Sequence, residues 1–207
     1  MRVVLSVFCF ILVVSCEDEW TPDTYPNPRS GGFRQCSMRS VSNICDPNQI
    51  LNESDRYRLN NELSRLSTRS SSDSKDFCAR KGIDAVLAIV PEGSQKFADE
   101  LSKRWNLDGQ CQKSAVFVFS SDERHLYYGG EKNTGINPAE FDAIAFAAKS
   151  QLSAGHYVAG LVNIFKELGK KTNPVMEVPS PSTPRGSSSS SSVLTTLLAF
   201  VIFFIWN

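Results

Sequence analysis

The chain has 207 residues, with 22 basic and 22 acidic side chains and a formal net charge of zero. No basic cluster stands out, so it carries no electrostatic footprint for nucleic acid. Setting aside two apolar ends and one Pro/Ser-rich linker leaves roughly 150 residues, enough for one well-buried domain.

Met1-Arg2, the apolar run Val3 to Val14 and the small residues around Val14-x-Cys16 predict a secretory signal peptide over 1–16, cleaved before Glu17. The apolar run is too short to cross a bilayer of about 30 Å as a helix. Residues 17–35 follow as an extended arm rich in proline and aromatics. Trp20, Tyr25 and Phe33 have two readings. They are anchors for a partner, since aromatic residues dominate interface energies, or they pack the arm over its own domain and so avoid exposed rings.

Cleavage leaves four cysteines, Cys36, Cys45, Cys78 and Cys111. An even number in a secreted chain predicts two disulfides. Zinc is disfavoured by the lack of a C-x-x-C spacing and by histidines far from the cysteines in sequence. Three pairings are open. The short loop favours Cys36–Cys45, which leaves Cys78–Cys111. Those two each precede an apolar strand, and parallel neighbours would bring their starts together.

The domain is predicted over 36–170. Asn52-Glu53-Ser54 is a glycosylation sequon in a secreted chain, and Asn52 or Ser54 caps the helix that places Leu59, Leu63 and Leu66 on one face. "IDAVLAIV", bounded by Gly82 and Pro91, is a buried strand. "SQKFADELSKRW" repeats Phe97, Leu101 and Trp105 at four-residue spacing behind a Ser94 cap, which makes Trp105 a core anchor. "SAVFVFS" is the next strand, and "HLYYGG" returns antiparallel through the Asp122–Arg124 turn. "PAEFDAIAFAAKSQL", opened by Pro138, and "HYVAGLVNIFKEL" are two helices separated at Gly155. The expected fold is α/β: one domain with a mixed, mostly parallel sheet covered by helices on both faces.

Residues 171–192 read as an extended Pro/Ser stalk. The apolar tail over 193–207 reaches roughly 20 Å as a helix, short of a full span. Only Asn207 follows it, with no basic stop. The tail reads as a glycolipid (GPI) attachment signal with Gly186 as the attachment residue, or as a short membrane span. Either reading tethers the chain to a membrane and places its domain at the cell surface.

"CDPNQILNESDRYRLNNELSRL", "LSKRWNLDGQCQKSAVFVFSSDERHLYYGG" and "AGHYVAGLVNI" resemble the TPM domain family over roughly Trp20 to Leu168. The opening "EWTPDTYPNPRSGGFRQCSMRSVSNICDP", with all four cysteines in place, resembles the nematode branch of that family, the modulators of levamisole-sensitive acetylcholine receptors. The resemblance implies a membrane-tethered extracellular auxiliary protein that increases the response of a pentameric acetylcholine-gated channel. The short tail departs from that branch, in which a full transmembrane helix follows the domain.

The resemblance also implies an alternative, a cell-surface metal-dependent phosphatase, because other members have been assigned phosphatase activity or metal binding near the acidic turn. Asp122 and Glu123, with Asp46 added, would supply hard oxygen ligands for calcium. Calcium wants six to eight oxygens, and polar turn residues need no metal to explain them. No nucleophile elbow, H-E-x-x-H or phosphate loop occurs. His125 and His156 each stand alone. No residue is therefore nominated as catalytic, no cofactor beyond that calcium is implied, and the chain is read as a binding protein, not an enzyme.

Overall fold

The structure is a computed structural model, and it describes residues 20–172. The expected signal peptide, most of the stalk, Gly186 and the apolar tail lie outside the described residues. Among the described residues four strands form one sheet in the order β1-β2-β3-β4. They are β1 (Ile44–Cys45), β2 (Asp84–Val90), β3 (Ser114–Ser120) and β4 (His125–Gly130). β1, β2 and β3 run parallel and β4 returns antiparallel to β3. The two central strands are buried along nearly their whole length. That is why they read as continuous apolar runs and not as alternating ones.

Among the described residues six α-helices accompany the sheet: α1 (Glu53–Arg69), α2 (Phe77–Arg80), α3 (Gln95–Trp105), α4 (Pro138–Ala147), α5 (Lys149–Ser153) and α6 (Tyr157–Thr172). Their starts follow the sequence signals. The Asn52 side chain accepts the Asp55 N–H, Ser94 accepts from Phe97, and Asn137 caps α4 with Pro138 at its first position. The cap of α1 is thus Asn52 and not Ser54.

Successive β3 residues face opposite layers, and Phe117 and Phe119 share one of them. Phe117 meets Phe141 of α4 and Phe165 of α6 with ring centroids 5.9 and 5.1 Å apart, and Phe119 meets Tyr157 of α6 at 5.0 Å. On the other face, Gly129 of β4 lies against α3, where a Cβ would stand 2.3 Å from the Ala98 carbonyl oxygen. Only glycine permits that approach. Helices therefore cover both faces, and the domain is the α/β sandwich that the sequence predicts.

Four details depart from the sequence reading. The described part of the arm is not extended but a series of turns ending in a 3-10 turn over Gly32–Arg34. The two-residue strand β1 and the four-residue helix α2 are additions. The expected single helix over "PAEFDAIAFAAKSQL" is broken into α4 and α5. At the break, the Ala148 N–H bonds back to Ala145 O at 3.2 Å, a tightened turn that ends the α ladder.

Cys36 pairs with Cys45 and Cys78 with Cys111. The first bond fastens the arm to β1. The second joins α2 to the loop before β3. That loop is organised by buried Asp108, whose carboxylate accepts the N–H groups of Cys111 and Lys113 at 3.3 and 3.1 Å and meets Lys81 Nζ at 2.9 Å. Burial alone would raise the carboxyl pKa. The Lys81 hydrogen bond, the two backbone donors and the Lys81 charge outweigh it and hold Asp108 below the usual carboxylate range.

A folded-state pKa below the unfolded value of about 3.9 gives stability that is full above that value and lost as pH falls through the folded pKa. Asp108→Asn is expected to cost about 1–3 kcal/mol at neutral pH. It should also flatten part of the fall in melting temperature that wild type shows below about pH 4. Circular dichroism melts between pH 3 and 7 check both. A variant matching wild type at pH 7 and in its acid slope would disprove this role.

Candidate binding surface

The first candidate is the acidic turn. Ser121 and Asp122 donate their N–H groups to Val90 O and Pro91 O at 3.0 and 3.1 Å, which folds the turn back onto the end of β2. Arg124 closes it in the left-handed region, at φ 54°. Asp122, Glu123, Arg124 and His125 are all exposed. Glu123 accepts the Tyr127 hydroxyl, and the Arg124 guanidinium donates to the Ser153 carbonyl at the end of α5. Burial first, then the hydrogen bond to Glu123 and its negative charge, push the Tyr127 phenol up to about 12.

Asp46 is fully buried. Its two oxygens accept Ile50 N–H and Leu51 N–H, each at 2.9 Å, and Arg56 Nη1 lies 3.5 Å away. Burial raises its pKa, while the two N–H donors and the Arg56 charge act against that rise. Arg56 in turn donates to Leu51 O. Asp46 therefore serves as the internal cap of the turn leading into α1, with its lone pairs committed to the protein.

Among the described residues no group of three or more His, Cys, Asp or Glu could hold a metal. The expected set of Asp46, Asp122 and Glu123 is thus not assembled. Asp46 is occupied inside the fold while the other two face solvent on the β3–β4 turn. The donor set does not fit calcium, and no metal-dependent step is derived from it.

The second candidate is the aromatic arm. Tyr25 is 3% exposed, with its ring edge-on to Phe97 at 5.8 Å and tilted against Trp105 at 6.2 Å. Trp105, the expected core anchor, is itself buried. The Tyr25 hydroxyl lies 2.9 Å from both Cys45 O and Ile89 O, and it accepts the Ile89 N–H at 3.0 Å. Leu87 N–H already donates to Asn43 O at 2.8 Å. The next rung of a parallel ladder would join Ile89 N–H to Cys45 O, and the Tyr25 hydroxyl takes its place.

Tyr25 is therefore not available as a partner anchor. Its surface belongs to the domain. Trp20 stacks edge-on against Tyr25 at 5.6 Å and donates its indole N–H to Asn48. Phe33 is partly buried against the core. Arg29 completes the seam with an ion pair to Asp84 at 2.6 Å. Of the three rings, only Trp20 and Phe33 keep surface that a partner could touch.

A third surface was not flagged by periodicity. On α4 the large apolar Phe146 is 74% exposed. The signal that could have found it is the helix sequence itself, whose last five residues, Ala143 to Ala147, are all apolar after Glu140 and Asp142.

Fold and sites together define a disulfide-tied α/β domain. It presents arm, turn and helix surfaces but, among its described residues, no assembled metal-ligand set. A family model described as modulator of levamisole receptor-1 matches residues 20–124, just over half of the chain, and the chain belongs to that family. The match takes in the arm, all four disulfide cysteines and the strands through β3.

Among solved structures, the N-terminal domain of a protein from P. gingivalis matches with a TM-score of 0.55 at 14% identity, covering 74% of this chain and 91% of that one. The N-terminal domain of a Corynebacterium glutamicum protein matches with a TM-score of 0.45 at 12% identity, covering 65% and 82%. At such identity the first likeness speaks for the fold alone. No curated protein sequence matches the chain.

Proposed function

We propose that the protein is a membrane-tethered extracellular auxiliary subunit that positively modulates a levamisole-sensitive type of acetylcholine-gated channel, and that it acts by binding and not by catalysis. The observation supporting this is the family match over residues 20–124, which coincides with the disulfide-tied arm and sheet. Co-expression of the full chain with the subunits of such a channel tests the reading, with agonist-evoked current as the readout. Larger currents are expected; unchanged currents at normal surface expression would refute it. A phosphatase assay with and without calcium or magnesium covers the alternative. Metal-dependent turnover lost in Asp122→Asn would replace the binding reading with an enzymatic one.

The tether in this reading is a lipid attached at Gly186. No helix among the described residues is long and apolar enough to cross a membrane. Phosphatidylinositol-specific phospholipase is expected to release the intact domain from cells. An epitope placed after Asn207 that stays with a phospholipase-resistant protein would instead establish a span.

The reading also makes Asn52 a glycosylated residue. The Asn52 side chain is exposed, and its oxygen, which survives glycosylation, is the atom that caps α1. Ser54→Ala destroys the sequon while keeping that cap. The expected result is a mobility shift on glycosidase treatment in wild type and none in Ser54→Ala. A wild-type protein from secreting cells that does not shift would overturn the assignment.

A further inference from the structure

Helix α4, with the sequence PAEFDAIAFA, buries Phe141 and Ala145. Its exposed side carries Glu140 and Asp142 in the first turns and then Ala143, Phe146 and Ala147, so its C-terminal half is apolar where a surface helix should turn polar. Along this face runs a groove of about 580 Å³ between α4, α5 and α6. Its apolar lining includes Ala143, Ile144, Ala147 and Ile164, and its charged lining residues are Glu140 and Glu167.

We propose that this groove is a docking site for a cationic amphipathic helix of a partner protein. Three features favour that occupant. The alanine floor lets a helix approach closely, at the 8–10 Å axial distance of ordinary helix packing. The apolar lining suits a side-chain row at i, i+3, i+4 and i+7, as in helix-in-groove recognition. The charge of the rim then selects the partner, because both ionisable lining residues are carboxylates.

Glu167 now pairs with Lys170 at 2.7 Å, with side chains 49% and 68% exposed. An exposed pair of this kind is weak, so a partner's Lys or Arg can displace it. The same carboxylates disfavour other occupants. Anionic lipid headgroups would be repelled, and a second copy docked by two-fold symmetry would bring its own Glu140 and Glu167 against these. The groove lies outside the segment matched by the family model, and the proposal stands apart from the channel reading.

The test uses the full chain in zwitterionic lipid nanodiscs, with the exposed rim residue Ser150 replaced by p-benzoylphenylalanine as a photo-crosslinker. The probe is a synthetic helical peptide of leucine and lysine with leucines at i, i+3, i+4 and i+7. Its counterpart carries glutamate in place of lysine. The expected crosslink yield, read by mass spectrometry, is roughly fivefold or more in favour of the lysine peptide. It should fall roughly threefold or more in the Glu140→Gln/Glu167→Gln double variant, whose substitutions are at exposed positions and leave the core intact.

Equal yields for the two peptides, or a yield indifferent to the double substitution, would overturn the proposal. So would adducts to lipid or to a second copy in place of the peptide. Agonist-evoked current is read separately on wild type. A chain that crosslinks the lysine peptide but leaves current unchanged refutes the modulator reading and supports the groove.

Discussion

Phe117→Ala is expected to destabilise the domain by about 3–5 kcal/mol, the range for removing a fully buried aromatic side chain from a packed core. Phe117 has no solvent exposure. Its ring lies 5.5 Å from Tyr128, 5.9 Å from Phe141 and 5.1 Å from Phe165. It thus joins β3 to β4, α4 and α6 at one point, and no single neighbour can relax into the space it leaves. A domain of ordinary stability has about 5–15 kcal/mol in total, so export from the cell should fall with the melting temperature. Phe146→Ala is the matched control. The residue is 74% exposed, and its loss should cost within about 0.5 kcal/mol. Thermal melts of both variants check the contrast. Equal melting temperatures for Phe117→Ala and wild type would mean that the layer above β3 is misassigned.

The core around Phe117 was legible in the sequence because its determinants are local. "DAVLAIV" and "SAVFVFS" are long enough to show two-sided burial, Asn52 and Ser94 cap their helices from within three residues, and Pro138 opens α4. What was not legible is short or distant. β1 pairs over only Ile44 and Cys45, and two residues carry no period. The four residues of α2 cannot show a 3.6-residue repeat either. The break at Ala148 sits among alanines whose propensity favours continuing the helix, so only the tertiary fold could impose it. Asp46 looked like a free hard ligand because the sequence does not show that Ile50 and Leu51 turn their N–H groups back onto it. The Tyr25 hydroxyl reaches a backbone group 64 residues away, a distance at which sequence patterning is silent.

Tyr25 carries the second large effect, and its two functions can be separated. Tyr25→Ala removes a buried ring from Phe97 and Trp105 and is expected to cost about 3–5 kcal/mol. Tyr25→Phe keeps the ring and deletes only the oxygen. A hydroxyl has one proton to give, so it donates to Cys45 O or Ile89 O while it accepts from Ile89 N–H. Without it the Ile89 N–H is buried and unpartnered, at about 1–3 kcal/mol. Burial, the leading influence, holds the Tyr25 phenol well above its usual range against the opposing Ile89 hydrogen bond, so the bridge keeps its proton throughout the physiological pH range. Hydrogen exchange supplies the decisive readout. The Ile89 amide should lose protection selectively in Tyr25→Phe, whereas Leu87, bonded to Asn43 O, should keep it. If Ile89 stays protected and stability is unchanged, β1 and β2 have closed directly across the gap. The arm would then be a covering held by Cys36–Cys45, and not a structural part of the sheet edge.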